Sequence, residues 1–171
     1  MATERFSLAE VVKRTGAKRR AIQLWADGGV ILATPETDRA GTGHHRTFEP
    51  QEVQIAAILA PLAQLQISIG VLKRFAGVLR QALAVRQPGG VPAYFEAGAA
   101  EIGHALVRAA HGQGSNWLMF THSPEALVLS VVTDEEAPIS VDFKGFVPPE
   151  FDPRSIILTI NLTATLGGLL N

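Results

Sequence analysis

Apolar and polar positions follow two different periods along the chain, and the change between them divides the sequence. Through residue 86, apolar residues recur mostly at spacings of three and four, which is typical of helices with one buried face. From Trp117 onward they recur at every second position in several short runs, which is typical of half-buried strands. The pattern predicts a mainly helical first part of about four helices and a smaller α+β second part.

The first helix has signals at both of its ends. Residues 7–10 read Ser-Leu-Ala-Glu, a capping box in which the Ser7 hydroxyl and the Glu10 carboxylate each accept from a backbone N–H of the other residue. Gly16 can adopt the left-handed conformation that commonly ends a helix. We therefore predict a helix over residues 8–15.

A second, basic helix follows after a short turn. It is predicted to open at Lys18-Arg19-Arg20 and to end at Gly28-Gly29, with Ala21, Ile22 and Trp25 on its buried face. Two short helices joined by a glycine turn, the second of them basic, are typical of a helix-turn-helix.

A β-hairpin is predicted over residues 37–48, and it is called the wing below. Gly41 and Gly43 stand at its tip, with polar and basic side chains on either side. A hairpin of this composition is suited to contact a phosphate backbone. The adjacent His44 and His45 point to opposite faces of a strand, so they are not expected to share an ion, and no metal site is predicted.

Residues 16–25, then Gly29-Val30, Pro35 and residues 43–48, resemble the N-terminal winged-helix domain of the MerR family of bacterial transcription regulators. The family pattern has an Arg, an aromatic residue and a Tyr in the second helix, then Gly-Leu, a Pro, and a wing ending Gly-Tyr-Arg-x-Tyr. The similarity covers about residues 6–80. Four positions within it differ from the family pattern: Gln23, Trp25, His45 and Gln66.

The resemblance implies a DNA-binding domain whose second helix enters the major groove while the wing contacts the backbone. The residues expected to contact DNA are Lys18, Arg19, Arg20 and Gln23 on the helix and Arg39, His44, His45 and Arg46 on the wing. Gln23 can pair with an adenine edge and a helix arginine with guanine, whereas Arg46 is expected to meet a phosphate. Arg46→Ala should then weaken binding to all sequences alike.

Two further helices complete the predicted first domain. One starts at Glu49-Pro50, with Pro61 expected to kink or interrupt it, and the other is capped by Ser68 and reaches about Arg86. Residues 87–92 read Gln-Pro-Gly-Gly-Val-Pro, which cannot continue a helix. They mark the predicted boundary between a DNA-binding domain, residues 1–87, and an assembly or effector domain, residues 88–171.

The second domain is predicted to be one helix packed on a small antiparallel sheet. The helix covers residues 93–111, and the strands cover residues 117–121, 126–133, 139–143 and 156–166. Because the break after the fourth helix removes the long dimerisation helix usual in MerR-type proteins, we expect self-association through the long last strand. Glu101 and His104 share a helix face that is interpreted as solvated, since a metal site would need further carboxylates.

The charges are distributed unevenly between the two predicted domains. Residues 1–87 contain 12 Lys and Arg against 7 Asp and Glu, a net +5, whereas residues 88–171 contain 3 against 9, a net −6. A basic half beside an acidic half is typical of a nucleic-acid-binding region joined to a non-binding one. The chain has no cysteine, which excludes disulfides and thiolate metal sites.

The motifs of common enzyme classes are missing from the sequence, so neither an enzyme nor a cofactor is expected. With no signal peptide and no apolar run of membrane-spanning length, the expected location is cytoplasmic and nucleoid-associated.

The expected function is a dimeric, sequence-specific transcription regulator that binds double-stranded DNA. The alternative is a DNA-architectural or phage-type packaging or recombination accessory protein that uses the same winged helix. A small apolar effector is compatible with a pocket between the second domain's helix and sheet.

Overall fold

The computed structural model describes residues 4–38, 45–84, 97–122, 127–133, 136–142 and 156–169, and these residues form seven helices and six strands. The fold is mainly helical, with two small antiparallel sheets. The chain divides into two compact units, one of Met1–Arg80 with Leu169–Asn171 and one of Gln81–Gly168. None of the helices in the described ranges has the length and apolar character needed to cross a membrane. The predicted boundary at residues 87–92 lies outside those ranges.

The first unit holds the elements around the predicted DNA-binding segment. In chain order they are β1 (Phe6–Ser7), α1 (Leu8–Thr15), α2 (Arg19–Gly28), α3 (Pro35–Asp38), β2 (Thr47–Phe48), α4 (Pro50–Gln64) and α5 (Ile69–Ala84). The last turn of α5 belongs to the second unit. The bounds of α1 and α2 agree with the sequence prediction because both helices are delimited by local signals.

The capping box at the start of α1 is confirmed. The backbone N–H of Ser7 donates to Oε2 of Glu10 over 2.7 Å, and the N–H of Glu10 donates to the Ser7 hydroxyl over 3.4 Å. At the other end, Gly16 has φ 67° and its N–H donates to the carbonyl of Val12. The backbone hydrogen bond from Ser7, followed by that of the Ser7 hydroxyl, lowers the pKa of Glu10 below its ordinary value of 4.5.

This lowered pKa makes the contribution of Glu10 to stability dependent on pH. A carboxylate whose folded pKa is depressed stabilises the protein above its unfolded pKa, and that contribution is lost as the pH falls through the folded pKa. We therefore expect Glu10→Gln to be less stable than the parent at pH 7 and equal to it in strong acid. Thermal unfolding followed by circular dichroism at both pH values tests this. Glu4→Gln removes a carboxylate outside the capping box and should show no such convergence.

Pro61 does not interrupt α4, contrary to one of the two outcomes expected from the sequence. The helix continues to Gln64 and ends at Leu65, and the following residue, Gln66, has φ 57°. A proline inside a helix costs about 3 kcal/mol, but Pro61 is itself exposed and stands in the last turn. Residues on nearly all sides of α4 are buried, from Val53 to Leu62, so packing holds the helix through the proline.

The wing begins with a helical turn and not with a strand. Residues 37 and 38 belong to α3, because the carbonyl of Thr34 accepts from the N–H groups of both Thr37 and Asp38. Among the described residues of the wing, the strand is β2, which pairs antiparallel with β1 and forms a bridge from Phe48 to Ala33. The hydroxyls of Thr34 and Thr47 lie 2.7 Å apart and fasten the base of the wing. Residues 39–44, with Arg39 and His44, are outside the described residues.

The second unit has one sheet and two helices among its described residues. They are α6 (Ala97–Ala110), β3 (Asn116–His122), β4 (Leu127–Thr133), β5 (Glu136–Asp142), β6 (Ile156–Asn161) and α7 (Leu162–Leu166). The strands lie in the order β5-β4-β3-β6, every neighbouring pair is antiparallel, and α6 contacts β3, β4 and β5. Leu118 and Phe120 of β3 are buried, whereas the preceding Trp117 is exposed. The predicted four-stranded antiparallel sheet with a helix against it is confirmed, but the second helix, α7, was not predicted.

Two strand boundaries were predicted wrongly. The strand expected at residues 139–143 begins at Glu136, and Pro138 falls where the register between β4 and β5 shifts. The strand expected at residues 156–166 ends at Asn161, and the rest is α7. Asn161 caps this helix by accepting from the N–H of Ala164 over 2.9 Å. Leu162 and Leu166 are both buried, and their spacing of four fits a helix as well as an alternating strand.

Removing the Asn161 cap should destabilise the second unit by about 1 kcal/mol, the usual cost of replacing a capping Asn by Ala. Asn161→Asp keeps an acceptor oxygen and should recover most of the loss. Urea unfolding in a Trp25→Phe background, followed by the fluorescence of Trp117, measures this unit separately. Equal stability of the Ala and Asp variants would contradict the capping role.

Candidate nucleic-acid interface

The N-terminal turn of α2 is cationic and exposed. Lys18, Arg19 and Arg20 are all exposed, and Lys18 occupies the N-cap position without a side-chain hydrogen bond to the helix. The first N–H groups of α2 therefore lie beside three positive side chains. The helix dipole adds partial positive charge at the same end, so this turn attracts anions such as phosphate.

A polar side of α2 runs from this cationic turn along the helix. Arg20, Gln23 and Asp27 follow one another at spacings of three and four, which places them on one side. On the opposite side Ile22 and Trp25 are buried in the first unit. Because one face is fixed in the core, the polar face is presented to solvent in a fixed orientation.

The end of α2 packs closely against the start of α5. Gly29 adopts φ 70°, which favours glycine, and its N–H donates to the carbonyl of Ala26. A Cβ atom at Gly28 would lie 3.1 Å from Cγ2 of Ile69, so a larger residue there would displace the first turn of α5. The glycine pair therefore allows the approach of the two helices as well as ending α2.

A buried ion pair holds the segment that leaves α2. Nε of Arg80 lies 2.6 Å from Oε1 of Glu52, and Nη2 lies 2.8 Å from Oε2 of the same carboxylate. Nη2 also donates to the carbonyl of Val30, while Oε2 of Glu52 accepts from the N–H of Leu32. The side chains of Glu52 and Arg80 are only 9% and 20% exposed. One bidentate pair thus joins α4, α5 and the segment that leads into the wing.

Arg46 connects the wing to α2. Its Nη1 lies 2.5 Å from Oδ1 of Asp27 in α2, and its Nε lies 3.4 Å from Oδ1 of Asp38 in α3. The Arg46 side chain is 32% exposed and that of Asp27 is 57% exposed, so the cluster lies at the surface. We call this Asp27, Arg46 and Asp38 cluster the Arg46 clamp. It places the described end of the wing beside the polar side of α2.

The predicted DNA-contacting residues fall into three groups in the structure. Arg19, Arg20 and Gln23 lie on the accessible side of α2 with Lys18 at its N-cap, His45 is exposed at the end of the wing, and Arg46 is held in the clamp. Arg39 and His44 are outside the described residues.

Sequence reasoning missed two carboxylates that organise this surface. Asp27 stands four residues after Gln23, so the helix period alone places it on the predicted DNA-contacting side. Glu52 stands one residue before a run of buried apolar positions in α4, a place where a charge needs a partner. These spacings were available signals, but they do not identify Arg46 or Arg80 as the partners.

The described residues contain no group of three His, Asp or Glu side chains placed to hold a metal ion. Neither a scan against known protein families nor a search of curated proteins finds a match to this chain.

Proposed function

We propose that this protein is a sequence-specific, DNA-binding transcription regulator in which residues 8–48 act as a winged helix-turn-helix. One observation carries the proposal: a short helix buries one side, presents Arg19, Arg20 and Gln23 on the other, and begins with N–H groups beside cationic side chains. This combination suits a helix that reads base edges while its N-terminus meets phosphate. The net +5 of residues 1–87 supports the same proposal.

In the proposed complex, α2 lies in the major groove and the wing follows the backbone beside it. Arg19 or Arg20 pairs with guanine through a bidentate contact, and Gln23 pairs with the edge of an adenine. Lys18 neutralises a phosphate at the start of the helix. Arg39, His44 and His45 provide the wing's polar contacts.

The proposed functional state has two copies of the chain on one DNA site. A single small module buries roughly 600–1,000 Å² of its surface on DNA, which gives limited affinity and reads one half-site. A second copy raises the effective concentration of the other half-site contact without any new base contact. Light scattering of the full chain should give the mass of a dimer. A monomer both free and on DNA would remove this part of the proposal.

In-vitro selection of bound duplexes from a random pool tests the proposed function directly. The expected result is a palindromic consensus whose half-sites are separated by about one helical turn, 10–10.5 base pairs, or a multiple of it. Binding that depends on salt but enriches no sequence would overturn sequence-specific regulation. Such binding would instead indicate a protein that recognises only the backbone.

Arg20→Ala should cost about 1–3 kcal/mol on the selected site and relax the preference at one base position. Arg74→Ala is a matched control because it removes the same charge from an exposed position on α5. The control should leave the consensus unchanged. Titration of each variant against the consensus and its single-base substitutions, at one salt concentration, makes the comparison. Identical losses on every sequence would contradict base reading by Arg20.

A further inference from the structure

Arg46 is held on two sides by carboxylates of other elements. Asp27 lies on the polar side of α2, and Asp38 lies at the end of α3, where the chain enters residues 39–44 of the wing. Nε of Arg46 also donates to the backbone carbonyl of Asp38 over 3.4 Å. The guanidinium therefore contacts both the helix that carries the predicted base readers and the segment from which the wing departs.

A phosphate contact by Arg46 would compete with this arrangement. Nη1 and Nε are both engaged, and the donors of a guanidinium lie in one rigid plane. A bidentate phosphate contact uses Nη2 together with Nη1 or Nε, so it would draw the side chain away from its carboxylate partners. The exposed carboxylate of Asp27 would then face the DNA without a counterion. Repulsion between carboxylate and phosphate would oppose the gain from the new contact.

We infer that Arg46 is a positioning residue: the Arg46 clamp fixes the wing against α2, and the phosphate contacts come from neighbouring residues. This inference rests on the proposed function. Backbone contacts set the register of a DNA-binding protein on the duplex, so the distance between the wing and α2 decides where α2 meets the base edges. Asp27, although acidic, then favours DNA binding because it orients Arg46.

The sign of the effect of Asp27→Asn tests the inference. Removing an acidic group that only repels DNA would tighten binding, whereas loosening the clamp should weaken binding to the selected site by about tenfold, equivalent to about 1.4 kcal/mol. The dependence of binding on salt should keep its slope, because no phosphate contact is lost; loss of one contact reduces the slope by about 1. Glu49→Gln removes an exposed carboxylate outside the clamp and should not weaken binding.

A charge exchange without DNA tests the clamp itself. Asp27→Arg and Arg46→Asp are made singly and together in an Asp38→Asn background, which removes repulsion between Asp38 and the new carboxylate. We expect each single variant to raise the exchange rate of the Thr47 amide, which donates to the Thr37 hydroxyl at the base of the wing. The double variant should return the rate to within about threefold of the background, as a pairwise interaction requires.

The outcomes separate the inference from the proposed function. Tighter binding by Asp27→Asn, or a salt slope reduced by about 1 for Arg46→Ala, would overturn the positioning role and return Arg46 to the phosphates. Additive effects in the charge exchange would overturn the clamp. A parent protein that selects no DNA sequence would overturn the proposed function, while the exchange measurement would still decide whether Arg46 orders the wing.

Discussion

Glu52→Ala is expected to destabilise the first unit by about 3–5 kcal/mol, the cost of removing one partner from a buried ion pair. The substitution leaves Arg80 with no carboxylate in a largely buried position and leaves the N–H of Leu32 without its acceptor. Stabilities of small domains are about 5–15 kcal/mol, so the loss is a large part of the total. Glu52→Gln keeps an acceptor for Leu32 and should fall between Glu52→Ala and the parent.

Urea unfolding in a Trp117→Phe background measures this effect, because the remaining tryptophan, Trp25, is buried in the first unit. The exposed pair between Arg5 and Glu36 provides the control. Arg5→Ala should cost at most about 1 kcal/mol, as is usual for surface ion pairs. If Glu52→Ala lowered the free energy of unfolding no more than Arg5→Ala does, the attraction within the buried pair would only offset the lost hydration of its two charges.

Trp25→Ala should cost about 3–5 kcal/mol, the range for removing a large buried aromatic side chain. Trp25 is 3% exposed and lies on the side of α2 opposite its polar residues, so its removal leaves a cavity directly beneath the proposed recognition surface. Trp25→Phe retains most of the volume and should lose less.

Hydrogen exchange of the α2 amides is the suitable measurement for Trp25→Ala, because it does not depend on the tryptophan that has been removed. The amides of α2 should exchange faster than in Trp25→Phe. Trp117→Ala, at an exposed position of the second unit, should leave them unchanged. Protection of α2 equal to that of the parent would mean that the contacts of α2 with α1 and α5 hold the helix without Trp25.

Helices whose two ends are marked by neighbouring capping residues were predictable from the sequence. The capping box of Ser7 and Glu10 and the left-handed glycines at positions 16 and 29 act within one helical turn, so they delimit α1 and α2 without reference to the rest of the fold. The alternation of apolar and polar residues in β3 likewise indicates a strand with one buried face. These signals are independent of long-range contacts, and the corresponding bounds were therefore predicted correctly.

The wrong bounds at α3 and α7 have a common physical cause. Leu162 and Leu166 satisfy both a period of two and a spacing of four, so hydrophobic pattern alone cannot distinguish a strand from a helix there. The hydrogen bond from Ala164 to Asn161 decides for the helix. At the wing, the carbonyl of Thr34 accepts hydrogen bonds from the following residues and stabilises the helical turn at Pro35–Asp38. In both places a single capping group stabilises a helical turn where the pattern of the following residues predicted a strand.

The candidate site was predictable as a list of cations but not as an arrangement. Helical spacing located Arg19, Arg20 and Gln23 because their positions depend on one element only. Arg46 meets Asp27 across 19 positions of sequence, and Arg80 meets Glu52 across 28. Partners at such separations are fixed by tertiary packing, for which a single sequence contains no direct signal.

The two outer strands of the second unit's sheet differ in how they could meet another chain. Pro138 lies in β5 at the register shift, and a proline cannot donate a hydrogen bond to an added strand. In contrast, β6 contains no proline and no charged residue. Growth by joining β6 of one molecule to β5 of the next would give an open fibre, and the proline opposes it. Pairing of β6 with the same strand of a second molecule would occupy the proline-free edge of both molecules, so an assembly made in this way would stop at two chains.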